Sequence, residues 1–472
     1  MEWLALIPLL TTVVAVIKTK KVVFSLLLGL FVGAFIKVPS LFDGFLEVGR
    51  YLAGSVAQKE NAYTLLFLVM FGALAELIRM AGGVAGFSQT VGRRVKTERQ
   101  VLLSAWLLSV ITFFNSAFHI ISVGTILEPL VEKVKGSKEK LAFVLAITTG
   151  QIIVLLPVAT AYVGYMVTLI RFNLRQEEIS LSPYLTFLKS LPWNLFSLIM
   201  LGLALAVTLW GLNYGKIRLG KSVSREEFTE THRKKEQLLE QLQEEYPQKM
   251  VNLLLPVFLL LASTVSFFWW TGRSHGSSFL DALAGADFAV SILAGTLLTL
   301  VVSVIFLTLQ KINLAELQAH ILEGGQSILG SLAILVLGWS LSSVAKDLGF
   351  LELVRKGFAG TVPAWTVPSV SFLIAAATSY AIGSSWATWA LIMPAAISLS
   401  AAGGLPLEIV IGAVWAGGSV GDTASPMGDI PVLASGVLGI NPTKYIESAL
   451  PFTLLGVVLA AAGYLAAGAY FL

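Results

Sequence analysis

At 472 residues, 56% hydrophobic and only 13% charged, with a mean hydropathy of +0.82, the chain is not a soluble globular protein, for which ~25% charged residues is usual. Its net charge of +4 comes from Lys and Arg gathered between apolar runs, where they set membrane orientation and give no sign of a nucleic-acid partner. With no cysteine and four scattered histidines (His119, His232, His275, His320), disulfides, thiolate metal sites, a Cys nucleophile and zinc-type spacing are all excluded.

Separate apolar runs of ~15–25 residues predict a polytopic helical bundle, since a membrane barrel would show short alternating segments. Residues 3–17 are the first run. The N-terminus lacks the basic region of a cleaved signal peptide, so this run is expected to stay as a helix. Lys18, Lys20 and Lys21 close it, and positive charge on the inner side places the N-terminus outside. Residues 22–36 return outward. Residues 41–56 carry Asp43, Glu47 and Arg50 at helical spacing and read as an interfacial helix. Residues 63–81 cross inward, ending at Gly82-Gly83 before Arg93, Arg94, Lys96 and Arg99.

Residues 101–114 and 117–130 are each short for a span, and Asn115-Ser116 separates them. Basic clusters flank both ends of the pair (Lys133, Lys135, Lys138 and Lys140 follow it), so it should enter and leave on one face. This predicts a re-entrant helical hairpin with Asn115 and Ser116 at its tip. Residues 141–168 are apolar but interrupted at Thr148-Thr149-Gly150-Gln151 and at Pro157, which predicts a broken helix running outward. Residues 171–183 then lie outside and 193–212 return.

Residues 213–250 are the one long polar stretch and predict a charged cytoplasmic linker helix between two transmembrane halves, 1–212 and 251–472. In the second half, 251–270 go out, 289–309 come in and 328–344 go out. Residues 366–399 predict a second hairpin with Gly383-Ser384-Ser385 at its tip, 407–438 its broken partner, and 450–471 a last span ending outside. Both halves read span, hairpin, broken helix, span. The expected fold is therefore all-α and polytopic, with inverted-topology repeats that each hold a re-entrant hairpin and a broken transmembrane helix, in a multi-pass cell-membrane protein.

The chemistry concentrates at 417–429, where Asp422, Thr423, Ser425, Pro426 and Asp429 interrupt an otherwise uncharged run. An ionised Asp at the bilayer centre costs at least ~2.5–3.5 kcal/mol, so it needs a partner or a task. Pro and Gly also free backbone carbonyls, which are tolerated at membrane depth where they line a cavity. Sodium takes oxygen ligands: Asp422 and Asp429 supply charge, while Ser425, Thr423, Ser384, Ser385 and Thr388 could complete a shell, with Asn115, Ser116, Thr148, Thr149 and Gln151 opposite them. A desolvated carboxylate can hold a proton or, once deprotonated, a sodium ion, which is the logic of antiport. The structural alternative is a kinked helix whose carboxylates face an aqueous vestibule. No GxxxxGK[ST] sequence or nucleotide-hydrolysing domain is present, so the energy source is expected to be an ion gradient and the protein not an enzyme, with no cofactor. Glu76 and Arg79 are spaced for an intrahelical pair, His119 reads as a hydrogen-bonded structural histidine, and Trp386 and Trp389 as packing in the second hairpin.

Gly383-Ser-Ser-Trp-Ala-Thr-Trp389, Gly421-Asp-Thr-Ala-Ser-Pro-Met-Gly-Asp429, Ala81-Gly82-Gly83 and Glu139-Lys-Leu-Ala142 together resemble the NhaC family of sodium/proton antiporters, over most of the chain outside the linker. The resemblance implies a two-repeat transporter, a homodimer in the bilayer, with a core of hairpins and broken helices that moves in an elevator fashion and carries Na+ and H+. The chain departs from the family pattern in the first half. Asn115-Ser116 stands where the family carries an Asp pair, Ala146 where it has Asp, and Thr423 where His commonly follows the first signature Asp. Fewer acids leave room for a second cargo class: a small organic carboxylate or amino acid coupled to Na+ or H+.

Overall fold

In the computed structural model every regular element is a helix; the residues described are 2–19, 21–82, 96–113, 116–157, 160–211, 249–275, 278–350, 352–353 and 363–472. The first half contains α1 (Leu6–Thr19), α2 (Val22–Lys37), α3 (Leu41–Ala57), α4 (Lys59–Met80), α5 (Glu98–Ile111), α6 (Ser116–Lys133), α7 (Lys138–Leu155), α8 (Ala161–Gln176), α9 (Pro183–Ser190) and α10 (Leu195–Trp210). The second contains α11 (Val251–Gly272), α12 (Phe279–Gly285), α13 (Phe288–Leu309), α14 (Leu314–Ser327) and α15 (Leu329–Asp347). It continues with α16 (Val367–Ile382), α17 (Ser385–Gly403), α18 (Leu407–Gly418), α19 (Gly421–Ala424), α20 (Asp429–Val437) and α21 (Pro442–Tyr470). Among the described residues seven helices are long and apolar enough to cross a bilayer, or eight if the bent pair Pro183–Trp193 and Leu195–Trp210 counts as one span.

Helices α5 and α6 pack on each other, as do α16 and α17, and only Gly383 and Ser384 lie between the latter two. Gly383 ends α16 with φ +74°, a left-handed conformation that glycine adopts without strain, and its amide caps the Ser379 carbonyl. Ser384 then caps α17, its Oγ accepting from the Ala387 amide at 3.3 Å. The tip residue Asn115 lies outside the described residues, as does nearly all of the expected linker.

The first broken helix is interrupted at Pro157 as expected but not at Thr148-Thr149-Gly150-Gln151. Helix α7 runs unbroken through Thr148-Thr149-Gly150-Gln151, and the interruption falls after Leu155, around Pro157. The reason is local: Thr148 and Thr149 fold their hydroxyls back onto the carbonyls of Val144 and Leu145, at 2.8 and 2.6 Å, and so cost the helix nothing unsatisfied. Helix α8 restarts at Ala161, with the Thr160 hydroxyl accepting from the Val163 amide. The second broken element has two gaps, one at Ser419-Val420 and one at 425–428.

Two further differences concern length. Helices α1 and α2 reach 14 and 16 residues, short of the ~20 that a perpendicular crossing takes. Where no helix is expected before residue 328, α14 extends the element back to Leu314. The apolar-run reading leaves Glu316, His320 and Glu323 outside any element. His320 instead turns onto Glu76 of α4 (Nδ1 to Oε1, 3.2 Å), and α14 packs closely against that helix. Glu76 itself pairs with Arg79, as expected, with Nε donating to Oε2 at 2.7 Å. Helix α3 exposes Leu41, Phe42, Phe45 and Leu46 while burying Val48.

Two groups of helices pack closely. One joins the hairpins and broken helices: α20 lies on α6 and α7, α18 on α16 and α17, and α17 on α8. The other joins α4, α11, α13 and α14. Helix α8 touches both, packing on α17 on one side and on α4 on the other.

Candidate functional site

Asp422 sits in the one-turn helix α19, 8% exposed, between the two gaps of its element. Ser385, the first residue of α17, donates its hydroxyl to Asp422 Oδ2 at 2.5 Å. No described residue hydrogen-bonds the second carboxylate oxygen, which remains available to a proton or a cation. On the opposite side α7 comes close: a Cβ placed on Gly150 would lie 3.3 Å from Asp422 Cβ, a tight contact against the stem of that side chain. Asp422 thus joins an interrupted element, a hairpin start and a helix of the first half.

Gln151, next to Gly150, ties the halves together. Its Nε2 donates to Thr423 Oγ1 at 3.1 Å and its Oε1 accepts from Ser197 Oγ at 2.6 Å. Thr423 and Gln151 are therefore committed to each other before any ligand arrives. Ser425 caps the second gap: its hydroxyl donates to the Tyr380 carbonyl at 2.7 Å and accepts from the Met427 amide. Ser384 caps α17, and Thr388 donates to the Ser384 carbonyl at 2.9 Å. Of the second-half hydroxyls named from sequence, only Ser385 reaches a carboxylate.

Asp429 is placed differently. It opens α20 as an exposed residue, and its carboxylate makes no hydrogen bond with any described residue. Asp422 is thus enclosed and Asp429 exposed.

Ser116, Thr148 and Thr149 cluster with Ser109, Thr112, Phe113, His119 and Ile153, packed too tightly to leave space for a water. His119 is buried there, Nε2 at 3.0 Å from Ser109 Oγ and Nδ1 on Thr112 Oγ1. Tyr162 packs on Trp386 and Trp389 of the second hairpin, with ring centroids 4.8 and 5.8 Å away.

Sequence reasoning missed Tyr162, Gly150 and the donors that occupy the freed carbonyls. Trp389 Nε1 donates to the Trp415 carbonyl (3.1 Å), Trp415 Nε1 to Val154 (2.9 Å), Tyr165 to Trp386 (2.8 Å) and Tyr184 to Pro157 (2.8 Å). Ser379 donates to the Gly418 carbonyl and Gln151 to that of Ser419. The breaks are closed by side chains, which is what low-dielectric surroundings demand of unpaired carbonyls. Trp386 and Trp389 pack, as expected, with Tyr162 4.8 Å from Trp386 and Trp415 4.2 Å from Trp389, centroid to centroid. The signal was available in the aromatic residues beside each break, but their partners are distant in sequence.

The sequence profile described as the Na+/H+ antiporter family matches residues 152–469. The chain belongs to the Na+/H+ antiporter family. Members of this family are membrane transporters, so this multi-pass protein is a transporter and not an enzyme. It is 25% identical over 480 residues to an uncharacterized protein of Haemophilus influenzae, spanning 98% of this chain and 90% of that one. A shorter stretch of 141 residues is 30% identical to the arginine/ornithine antiporter ArcD of Halobacterium salinarum, covering 30% of this chain and 29% of the relative. Two solved structures share the fold of this family member. MtrF of Neisseria gonorrhoeae, described as illuminating a class of antimetabolite efflux pumps, matches with TM-score 0.60 at 15% identity, over 91% of this chain and 85% of that one. The YdaH transporter of Alcanivorax borkumensis matches with TM-score 0.57 at 14% identity, over 90% and 88%.

Proposed function

We propose that this protein exchanges Na+ for H+ by alternating access, with Asp422 as the group both ions compete for. The observation that carries the reading is the enclosed carboxylate: one oxygen held by Ser385, the other without a hydrogen bond, in an interrupted helix between two halves of the chain. A proton can sit on the open oxygen, or a sodium ion can take it with Ser385 and nearby oxygens as further ligands. The two occupants exclude each other because both need the same lone pairs. Asp429, exposed beside the site, is assigned to attracting the cation toward it.

The hairpins are read as re-entrant and the halves 1–212 and 251–472 as inverted repeats. Helices α5–α8 and α16–α20 form the moving core, and α4, α11, α13 and α14 the frame. The linker side is cytoplasmic, both termini are outside, and two copies associate as a homodimer. In proteoliposomes an imposed Na+ gradient should drive a pH change with no organic solute present, and Asp422→Asn should remove it.

A second reading is that a small organic anion or amino acid is the cargo. It is favoured by the absence of any acid among the described tip residues of the first hairpin, and by the stretch similar to an arginine/ornithine antiporter. Under that reading Na+ flux appears only when the organic substrate is added. The same vesicles, with and without a panel of carboxylates and amino acids, separate the two.

A further inference from the structure

A main-chain carbonyl freed by a helix break needs a partner when it is buried. Around Asp422 most of them have one. Ser379 donates to the Gly418 carbonyl, Gln151 to that of Ser419, and the Tyr445 hydroxyl to that of Thr423 at 3.4 Å. The Val420 carbonyl accepts from the Thr423 and Ala424 amides, and the Gly421 carbonyl from the Ser425 amide at 3.0 Å. The carbonyl of Asp422 itself accepts from no described residue.

The cause lies in the sequence. Four positions on, where a helix would supply the N–H, stands Pro426, which has none. A proline also drives the residue before it out of the helical region, and Ser425 is extended, at φ −71° and ψ 133°. The amides that follow are engaged elsewhere: that of Met427 on Ser425 Oγ at 3.1 Å, and that of Gly428 on the Ser425 carbonyl at 3.1 Å. Asp422 is 8% exposed, and its carbonyl oxygen faces α7 at the only glycine of that helix. A Cβ on Gly150 would lie 3.9 Å from this oxygen and 3.3 Å from Asp422 Cβ, so carbonyl and side chain share the Gly150 side. The Ala424 carbonyl also lacks a described donor. Two residues further on, it sits about 200° round the helix axis, away from this side.

We infer that the Asp422 main-chain carbonyl is a second sodium ligand beside its carboxylate, kept open by Pro426 and facing Gly150. This rests on the exchange reading. A proton needs a single lone pair, which the open carboxylate oxygen supplies. A sodium ion needs several oxygens at once, and unwound carbonyls at membrane depth serve that purpose in transporters. Pro426 and Gly150 therefore matter to the cation and little to the proton. Both act through the carbonyl and are positioning residues.

Full-length P426A and G150A proteins in proteoliposomes test this. P426A returns an N–H and lets the helix run on over the carbonyl. Its half-saturating Na+ concentration should rise about tenfold or more, the usual size of one contact to a charged group, while the pH of half-maximal exchange moves little. G150A sets a methyl group against the same oxygen and should weaken Na+ more than the smaller Li+. If P426A does not insert stably, G150A carries the test alone, since its methyl meets nothing closer than 3.3 Å. Unchanged Na+ dependence, or Na+, Li+ and H+ dependences that shift together, overturns the carbonyl ligand. The functional reading then stands, provided that wild-type exchange runs and D422N lacks it. Exchange absent from the wild type, or retained in D422N, overturns that reading and the ligand with it.

Discussion

Ser385 and Asp422, 37 positions apart in sequence, meet hydroxyl to carboxylate at 2.5 Å where the second hairpin turns beside the second broken helix. Each depends on its local backbone. Ser385 is held by the tight Gly383-Ser384 turn and Asp422 by the single turn of α19, so the contact reports whether hairpin and break move together. A hydrogen bond to a charged group is worth ~1.5–3 kcal/mol, or about 10- to 100-fold in equilibrium terms. S385A should therefore weaken apparent Na+ affinity by about that range while the protein still folds, and D422N should abolish Na+-driven pH change. Dye-reported exchange in proteoliposomes at varied Na+ reads both. A S385A variant with unaltered Na+ dependence would remove the hydroxyl from the ligand set.

Asp429 and Asp422 should separate in the same assay, although both stand out equally in sequence. An exposed carboxylate acts through a field that salt screens over about 8 Å at physiological ionic strength. D429N is expected to slow exchange at low ionic strength and to approach the wild-type rate as an inert salt is added, whereas D422N stays inactive throughout. If D429N is dead at every salt concentration, Asp429 binds the ion directly.

Much of this architecture was legible in the sequence because membrane spans announce themselves by apolar length and by where the Lys and Arg fall. The second hairpin came through its Gly-Ser-Ser tip, and the second break through Asp, Pro and Gly in an uncharged run. What failed was whatever depends on a partner elsewhere in the chain. Thr148, Thr149, Gly150 and Gln151 look like helix breakers only until the threonine hydroxyls are seen folded onto their own helix. Helix α14 lies outside the apolar runs, and its pairing partner, Glu76 to His320, is distant in sequence. The separation of Asp422 from Asp429 could not be read at all, since burial at a break is set by which helix packs over it, here α7 with Gly150.

Gly383 should be sensitive for two reasons that can be measured apart. Its φ of +74° disfavours any side chain, and a Cβ there would run into the Met427 carbonyl, where the hairpin turn meets the second gap. Gly404 has a similar φ of +68° with open space around it. G404A should thus cost only the backbone term, ~1–2 kcal/mol. G383A should cost more and also lower exchange, because it pushes the turn that carries Ser385 away from Asp422. Thermal unfolding of the two purified variants, read beside their transport rates, gives the comparison; equal losses in both would show that the close approach to Met427 is slack.

The Glu76–Arg79 pair should prove structural. Arg79 spends Nε and Nη2 on the two oxygens of Glu76, with side chains only 17% and 13% exposed, and His320 adds a contact from α14. With both carboxylate oxygens occupied by the guanidinium, the Glu76, His320 and Glu323 group is ill suited to a metal ion. Gly72 and Gly324 bring the two helix backbones together one turn away, so a disturbance here loosens the α4–α14 contact. Removing one partner of a buried pair costs ~3–5 kcal/mol, and less where water reaches it, as it does here. E76Q should therefore lower the unfolding temperature, R79Q less so because it leaves a carboxylate that His320 can still meet. The E76Q/R79Q double variant should recover part of the loss, a non-additivity that a double-mutant cycle reads directly. Na+-driven exchange in the double variant should persist. Its disappearance in a protein that remains folded would move this cluster from the frame into the transport path.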